Sequence, residues 1–268
     1  MSAPTLIYVP RDAAALAMDA DAVAAAIELA ADERGLAVQV VRNGSRGLLW
    51  LEPLVEIATP EGRLAYGPVQ PEDVPALFDA GWLTGGEHPL GLGLTEEIPY
   101  LKQQERLTFA RVGVIDPLSL QDYAAHGGLQ GLKRALAMEP AAIVEEMVTS
   151  GLRGRGGAAF PTGIKWKTVL GSPADRKYIV CNADEGDSGT FADRLLMEGD
   201  PYVLIEGMTI AGLAVGATYG YIYVRSEYPH AIATLEAAIE RARGVGWLGD
   251  DVHGSGRRFD LEVRKGAG

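Results

Sequence analysis

Four of the seven residues from Gly151 to Gly157 are glycine, at positions 151, 154, 156 and 157, in a stretch that reads Gly-Leu-Arg-Gly-Arg-Gly-Gly-Ala-Ala-Phe-Pro-Thr-Gly-Ile-Lys-Trp and ends at Trp166. Such a run takes backbone conformations closed to other residues, and it lets a ligand approach bare N–H groups. Arg153, Arg155 and Lys165 add fixed positive charge, which suits a phosphorylated cofactor better than a neutral substrate. Gly154 to Ala159 satisfies the dinucleotide pattern G-x-G-x-x-A, but that pattern has its usual meaning only between a strand and a helix. Here the preceding residues 140–150 read as helix, with Ile143, Val144, Met147 and Val148 on one face. On these residues alone the loop is either an anion cradle or a structural turn.

The remaining composition narrows the class. The chain has 268 residues, 47% of them apolar, enough for one large or two ordinary domains with a proper core. A net charge of −12 argues against sequence-independent binding to nucleic acid or to an anionic membrane. With one cysteine, Cys181, no disulfide framework and no cysteine-ligated metal site can be built from this chain alone. The first residues lack the pattern of a signal peptide, so a cytoplasmic location is expected. Residues 202–219 are continuously apolar, but Glu206 and the glycines at 207, 212 and 216 indicate a buried helix packed on a sheet, with no membrane insertion.

In chain order, Thr5 to Val9 reads as a strand, Ala13 to Arg34 as one long helix and Ala37 to Val41 as a second strand. A hairpin of Leu54 to Ala58 and Arg63 to Tyr66, then a helix from Pro71 to Ala80, complete an order that suits a small thioredoxin-like domain over residues 1–83. The loop from Asn43 to Pro53 resembles the cluster loop of thioredoxin-like 2Fe-2S ferredoxins, with Ser45 and Leu49 where cysteines would stand. Neither residue can ligate iron in place of a thiolate, so no cluster is expected there. Residues 84–99 are glycine-rich and aperiodic, and read as a linker. His126, His230 and His253 fall at turns or helix ends and carry no evident chemistry.

From residue 100 onward helices and strands alternate, the mark of a doubly wound sheet. The strand Lys177 to Cys181 runs into Asn182-Ala183-Asp184-Glu185-Gly186-Asp187-Ser188-Gly189-Thr190-Phe191-Ala192-Asp193-Arg194. Ligands of open α/β sheets sit outside the carboxyl ends of strands, so the carboxylates Asp184, Glu185 and Asp187 stand where polar cofactor contacts belong. Asn182 offers a donor and an acceptor to a ring edge, or serves as a turn residue. Asp193 and Arg194 read as a structural ion pair. The last strand, Phe259 to Val263, leads into Arg264-Lys265-Gly266-Ala267-Gly268, as if the chain were cut inside a functional loop.

These two stretches, together with Glu206-Gly207-Met208 and Tyr-Ile-Tyr-Val-Arg-Ser-Glu-Tyr from Tyr221 to Tyr228, closely resemble the family of flavin- and NADH-binding subunits. That family includes the NADH-oxidising subunit of respiratory complex I, the diaphorase subunit of NAD-linked nickel–iron hydrogenases and the beta subunit of NAD-dependent molybdenum formate dehydrogenases. The resemblance implies an α/β chain in which the thioredoxin-like domain precedes a Rossmann-like domain, residues 100–268, that binds FMN and NADH and is truncated at its C-terminus. It implies that Gly154, Arg155, Gly156, Gly157 and Lys165 wrap FMN, that Asn182, Asp184 and Glu185 contact it from the next strand, and that Gly266 and Gly268 open a second flavin loop. Phe160 would stack near the adenine of NAD, while Glu185 and Asp187, the catalytic candidates, would place the nicotinamide. Ala159 departs from the family, which usually has glycine there.

The activity implied is hydride exchange between NAD(H) and FMN with single electrons passing to iron–sulfur clusters. The Glu-Gly-Asp-Ser-Gly-Thr form of the acidic turn points to the formate dehydrogenase branch, with a hydrogenase or complex I subunit, or a flavin-free docking subunit, as alternatives. The partners implied are an iron–sulfur subunit of thioredoxin-like type and a molybdenum subunit. No metal ligands are expected within this chain, and a 4Fe-4S cluster only in a C-terminal part beyond it.

Overall fold

The computed structural model describes residues 3–267, which divide into two compact units, one of residues 3–119 with Glu198–Asp200 and one of Leu120–Met197 with residues 201–267. The first unit is built on β1 (Thr5–Tyr8), α1 (Ala13–Leu16), α2 (Ala20–Glu33), β2 (Val38–Val41), β3 (Val55–Thr59), β4 (Gly62–Tyr66), α3 (Val74–Asp79), β5 (Gly91–Leu94) and α4 (Pro99–Lys102). Its sheet has the order β2-β1-β3-β4-β5, with β1 and β2 parallel and every other pair antiparallel. The expected hairpin is the β3–β4 pair.

Two expectations fail in this unit. The single helix of residues 13–34 is broken, because Asp19 takes φ 64° and turns the chain between α1 and α2. Aspartate tolerates that left-handed conformation better than most residues, and alanine periodicity does not reveal it. Gly91–Leu94, placed in the linker of residues 84–99, is a strand that pairs with β4. Its glycines hid it, since a strand at a sheet edge needs few large side chains.

Helix α2 covers the sheet with Val23, Ala24, Ile27, Ala30 and Ala31, all buried at helical spacing against Ile7, Ile57, Leu77 and Trp82. The Asn43–Pro53 loop has a polar interior. Asn43, Ser45, Arg46 and Glu52 are all buried, and the Ser45 hydroxyl donates to Glu52 and accepts from the Gly47 N–H at 2.9 Å. Ser45 therefore ties the loop together at the position where the resemblance places a cysteine. Within the same unit, Glu198 accepts the Ala13 N–H at 2.7 Å, and Asp200 pairs with Arg111 at 2.8 Å.

The second unit contains α5 (Leu120–Ala125), α6 (Gln130–Leu136), α7 (Pro140–Thr149), α8 (Thr162–Gly171), β6 (Tyr178–Ala183), α9 (Ala192–Gly199) except its last two residues, α10 (Pro201–Val215), β7 (Tyr219–Val224), α11 (Pro229–Gly244) and β8 (Asp260–Lys265). The three strands are parallel and lie in chain order, β6-β7-β8. The described residues thus show a single winding direction, and the reversal that defines a doubly wound sheet is not among them. Within the described residues β6 lies at the edge of this sheet, with Val180 65% exposed.

Helix α10 packs on β6 and β7, and α11 packs on β8. Gly212 of α10 lies against Phe259, the residue before β8: a Cβ there would stand 2.4 Å from the Phe259 ring. Glu206, the one acid in this apolar helix, accepts the Leu129 and Leu132 N–H groups at 2.8 Å each and the Tyr123 hydroxyl. It thereby satisfies the first amides of α6, which explains a charge in an otherwise buried helix. Among the described residues no helix is long and apolar enough to cross a membrane.

Candidate functional site

The glycine stretch joins α7 to α8 by a loop that closes on itself. Gly154 donates to the Phe160 carbonyl at 2.9 Å, Thr162 donates to the Leu152 carbonyl at 2.8 Å, and Arg153 pairs with Pro161 as an isolated antiparallel bridge. The Arg153 guanidinium donates to the Ala159 carbonyl at 3.2 Å, so this cation stiffens the loop. What remains open is the tip. Arg155, Gly156 and Gly157 are exposed, and a Cβ built on Gly156 or Gly157 meets nothing within 4 Å. Gly157 has φ 93°, which excludes ordinary side chains, while Ala159 takes φ 50° at a cost of about 1 kcal/mol relative to glycine.

Helix α8 begins directly after the loop without a side-chain cap on its N-terminus. Its first amides add partial positive charge to Arg155 and Lys165. Phe160 is 46% exposed, so it is not core, and the Lys165 ammonium stands 5.7 Å from its ring centroid. No strand precedes the loop, as the sequence indicated. The donor set and the open space over the tip fit a phosphorylated ligand such as FMN.

Close packing of α7 and α8 holds this loop. A Cβ on Gly163 would fall 2.5 Å from the Val148 nitrogen and 2.7 Å from its Cα. Gly163→Ala is therefore expected to force the helices apart at a cost of about 2 kcal/mol. A urea midpoint equal to that of the unsubstituted chain would contradict this packing.

The second part of the site is the carboxyl end of the sheet. Ala183, Val224 and Lys265 end their strands in register, so the residues that follow leave the sheet side by side. Asn182 and Asp184 form a turn in which the Asn182 side-chain oxygen accepts the Asp184 N–H at 3.3 Å. Gly266 extends the β7–β8 pairing by donating to the Val224 carbonyl at 2.6 Å. A Cβ there would stand 3.0 Å from the Tyr223 ring, so a side chain fits only if that exposed ring gives by a few tenths of an ångström. Gly268 lies outside the described residues.

Glu185 has a well-defined place. Its carboxylate accepts the Asp193 and Arg194 N–H groups at 2.7 and 3.1 Å, at the start of α9, and the Tyr228 hydroxyl at 3.0 Å. Its carbonyl accepts from the Arg225 guanidinium at 2.8 Å. Asp187 is exposed on the turn beyond, whose Thr190 N–H donates to the Asp187 carbonyl at 3.1 Å. Asp193 and Arg194, expected as an ion pair, instead offer their amides to Glu185, and the Arg194 guanidinium lies over Phe191 and Tyr228 at 5.5 and 5.7 Å. Burial and the neighbouring Glu185 raise the Asp193 carboxyl above its ordinary range.

The structure thus brings Asn182, Asp184, Glu185 and Gly266 to one end of one sheet, and gathers Gly154, Arg155, Gly156, Gly157 and Phe160 in one self-closed loop, with Lys165 following in the first turn of α8. Sequence reasoning missed Tyr223, Arg225 and Tyr228, which support this end. The available signal was the Arg-Ser-Glu-Tyr segment directly after β7, on the same sheet end as the acidic turn. Cys181, on β6, is pushed up to about 11 by burial and by the Asp193 charge, so it stays a thiol. Among the described residues, no three His, Cys, Asp or Glu side chains converge so as to hold a metal ion.

Residues 147–268 match the model of the Nuo51 FMN-binding domain. Over 167 residues the chain is 53% identical to HndC, a component of the NADP-reducing hydrogenase of Solidesulfovibrio fructosivorans, a match covering 62% of this chain and 34% of that protein. It is 48% identical over 150 residues to an NADH-quinone oxidoreductase component of Aquifex aeolicus (strain VF5), covering 56% and 35% of the two chains. It is 43% identical over 157 residues to the corresponding NADH-quinone oxidoreductase component of Escherichia coli (strain K12), covering 57% and 35%. The chain spans about a third of the length of these curated relatives. A solved NAD+-reducing [NiFe]-hydrogenase in the H2-reduced state aligns over 100% of this chain and 44% of its own at 26% identity, with a TM-score of 0.49, too low to add weight. The span from residue 147 to 268 that matches the Nuo51 FMN-binding domain model takes in both the glycine loop and the acidic strand end.

Proposed function

We propose that the chain is part of a diaphorase subunit that exchanges hydride between NAD(H) and FMN, within an assembly of the hydrogenase or NADH-quinone oxidoreductase kind. The observation that carries this reading is the family match over residues 147–268, which falls on the two stretches whose glycines, cations and carboxylates suit a phosphorylated cofactor. The relatives named above are components of a hydrogenase and of quinone oxidoreductases. They favour those assemblies over the formate dehydrogenase indicated by the form of the acidic turn, and they lend no support to a molybdenum partner.

In this reading the open amides of Gly156 and Gly157, with Arg155, Lys165 and the start of α8, bind the phosphate and fix the flavin in place. Asn182 and Asp184 meet its polar ring edge, and Phe160 stacks on the dinucleotide. Bound FMN supplies the two-electron to one-electron conversion that no side chain can provide. The protein contributes orientation and charge: Asp187 favours the cationic, oxidised nicotinamide over the neutral reduced form. The β2-β1-β3-β4 order of the first unit supports a thioredoxin-like fold there, with Ser45 and Leu49 at the positions where the resemblance places cluster cysteines.

The test is FMN titration followed by fluorescence quenching. The chain should bind FMN, and Arg155→Ala with Lys165→Ala should weaken binding at least about tenfold by removing two charge-assisted contacts. Absence of quenching by the folded, unsubstituted chain would overturn the proposal.

A further inference from the structure

The turn between β6 and α9 has little of its own to hold it. Gly186 and Gly189 lie within it, Gly189 at φ 81°, and residues 186–190 are all exposed. Glu185, at its start, has φ 46°, a left-handed conformation that a non-glycine residue keeps only when its surroundings enforce it. The enforcing contacts come from the segment after β7. The Tyr228 hydroxyl reaches Glu185 Oε2 at 3.0 Å and the Thr190 carbonyl at 3.2 Å, so one side chain spans the two ends of the turn. Its ring is buried, with the Arg225 guanidinium 5.1 Å from the centroid, and Arg225 also bonds the Glu185 carbonyl.

We propose that Tyr228, backed by Arg225, is a positioning residue for the flavin- and nicotinamide-facing turn: its hydroxyl seats the Glu185 carboxylate on the first amides of α9 and so fixes the backbone that presents Asp184 and Asp187. This rests on the flavin reading above. Glu185 then acts through the turn's geometry, as the hub of the clamp, and its carboxylate is committed to the Asp193 and Arg194 amides. Tyr228 touches neither cofactor in this scheme. Its effect on them passes through Glu185.

Tyr228→Phe removes one oxygen and keeps the buried ring. Amide exchange at Asp193 and Arg194 reads the clamp without any flavin, and FMN affinity reads its consequence. Tyr228→Phe should speed exchange at both amides and raise the Kd for FMN, each about tenfold, while far-UV circular dichroism stays that of the unsubstituted chain. Glu185→Gln should raise the Kd similarly, and the double variant should bind FMN no more than about twofold worse than either single variant, because both remove one interaction. Multiplicative losses in the double variant, or unchanged exchange in Tyr228→Phe, would overturn the assignment, as would faster exchange without any change in Kd. If the unsubstituted chain binds no FMN, the flavin reading fails and with it the positioning role, whereas loss of affinity confined to the variants bears on the clamp alone.

Discussion

Glu56→Ala is expected to destabilise the first unit by about 3–5 kcal/mol, the range for breaking a buried ion pair from one side. Glu56, on β3, is fully buried, and its carboxylate lies 2.8 Å from the Arg46 guanidinium and 3.3 Å from that of Arg63. Asn43 donates to the same carboxylate at 3.3 Å. Without it, Arg46, whose side chain is 4% exposed, keeps only Glu96, which is itself 71% exposed. Arginine cannot shed its proton to escape, and the attraction of Glu56 and Glu96 outweighs burial in holding its pKa above the ordinary value. The double variant Arg46→Met with Glu56→Leu removes both charges at similar volume, and should recover most of the loss. Urea midpoints of the two variants decide the matter. A deficit below about 1 kcal/mol for Glu56→Ala would show that Arg46 finds solvent or another partner.

That network also marks where the sequence stops being readable. Strands and helices with strong periodicity were legible: β1, β2, the β3–β4 hairpin, α10, β7, α11 and β8 all lie where patterning puts them. The Asn43–Pro53 loop was legible only as a loop, because its order comes from pairings with residues far along the chain. Asn43, for example, donates to the Gly113 carbonyl at 2.7 Å, 70 residues away. The break at Asp19 was illegible for a different reason, since one left-handed residue leaves the hydrophobic spacing on either side intact.

The candidate site divides in the same way. The glycine tip and the carboxylates declare their chemistry by residue type. The side chains that orient them do not, and Tyr228 is a plain aromatic until its hydroxyl is found on Glu185. The same contacts distinguish the acids at the end of β6: the Glu185 carboxylate accepts backbone amides, whereas Asp187 is exposed.

Glu52→Gln is expected to remove a pH dependence from the first unit and to stabilise it above neutrality by up to about 3 kcal/mol, the value of a shift of some 2.5 pH units. Glu52 is 1% exposed, held by the Ser45 hydroxyl and by the Leu54 N–H at 3.0 Å. Burial, and then the charge of Asp12, raise its pKa from an ordinary 4.5 to about 7, against the opposing pull of those two hydrogen bonds. A folded-state pKa above the unfolded value means that the folded chain holds this proton more tightly. The resulting stabilisation is complete below pH 4.5, falls as pH rises toward 7, and is gone above it. Glutamine keeps an acceptor for Leu54 and cannot ionise, so its stability should stay level over that interval. Urea unfolding of both proteins at pH 5 and pH 8 isolates Glu52 together with its coupling to Asp12 and Glu56, because the carboxylates not coupled to it contribute equally to the two. If the unsubstituted chain loses no more stability between those conditions than the glutamine variant does, Glu52 is ionised throughout, and the loop around Ser45 must admit enough water to solvate it.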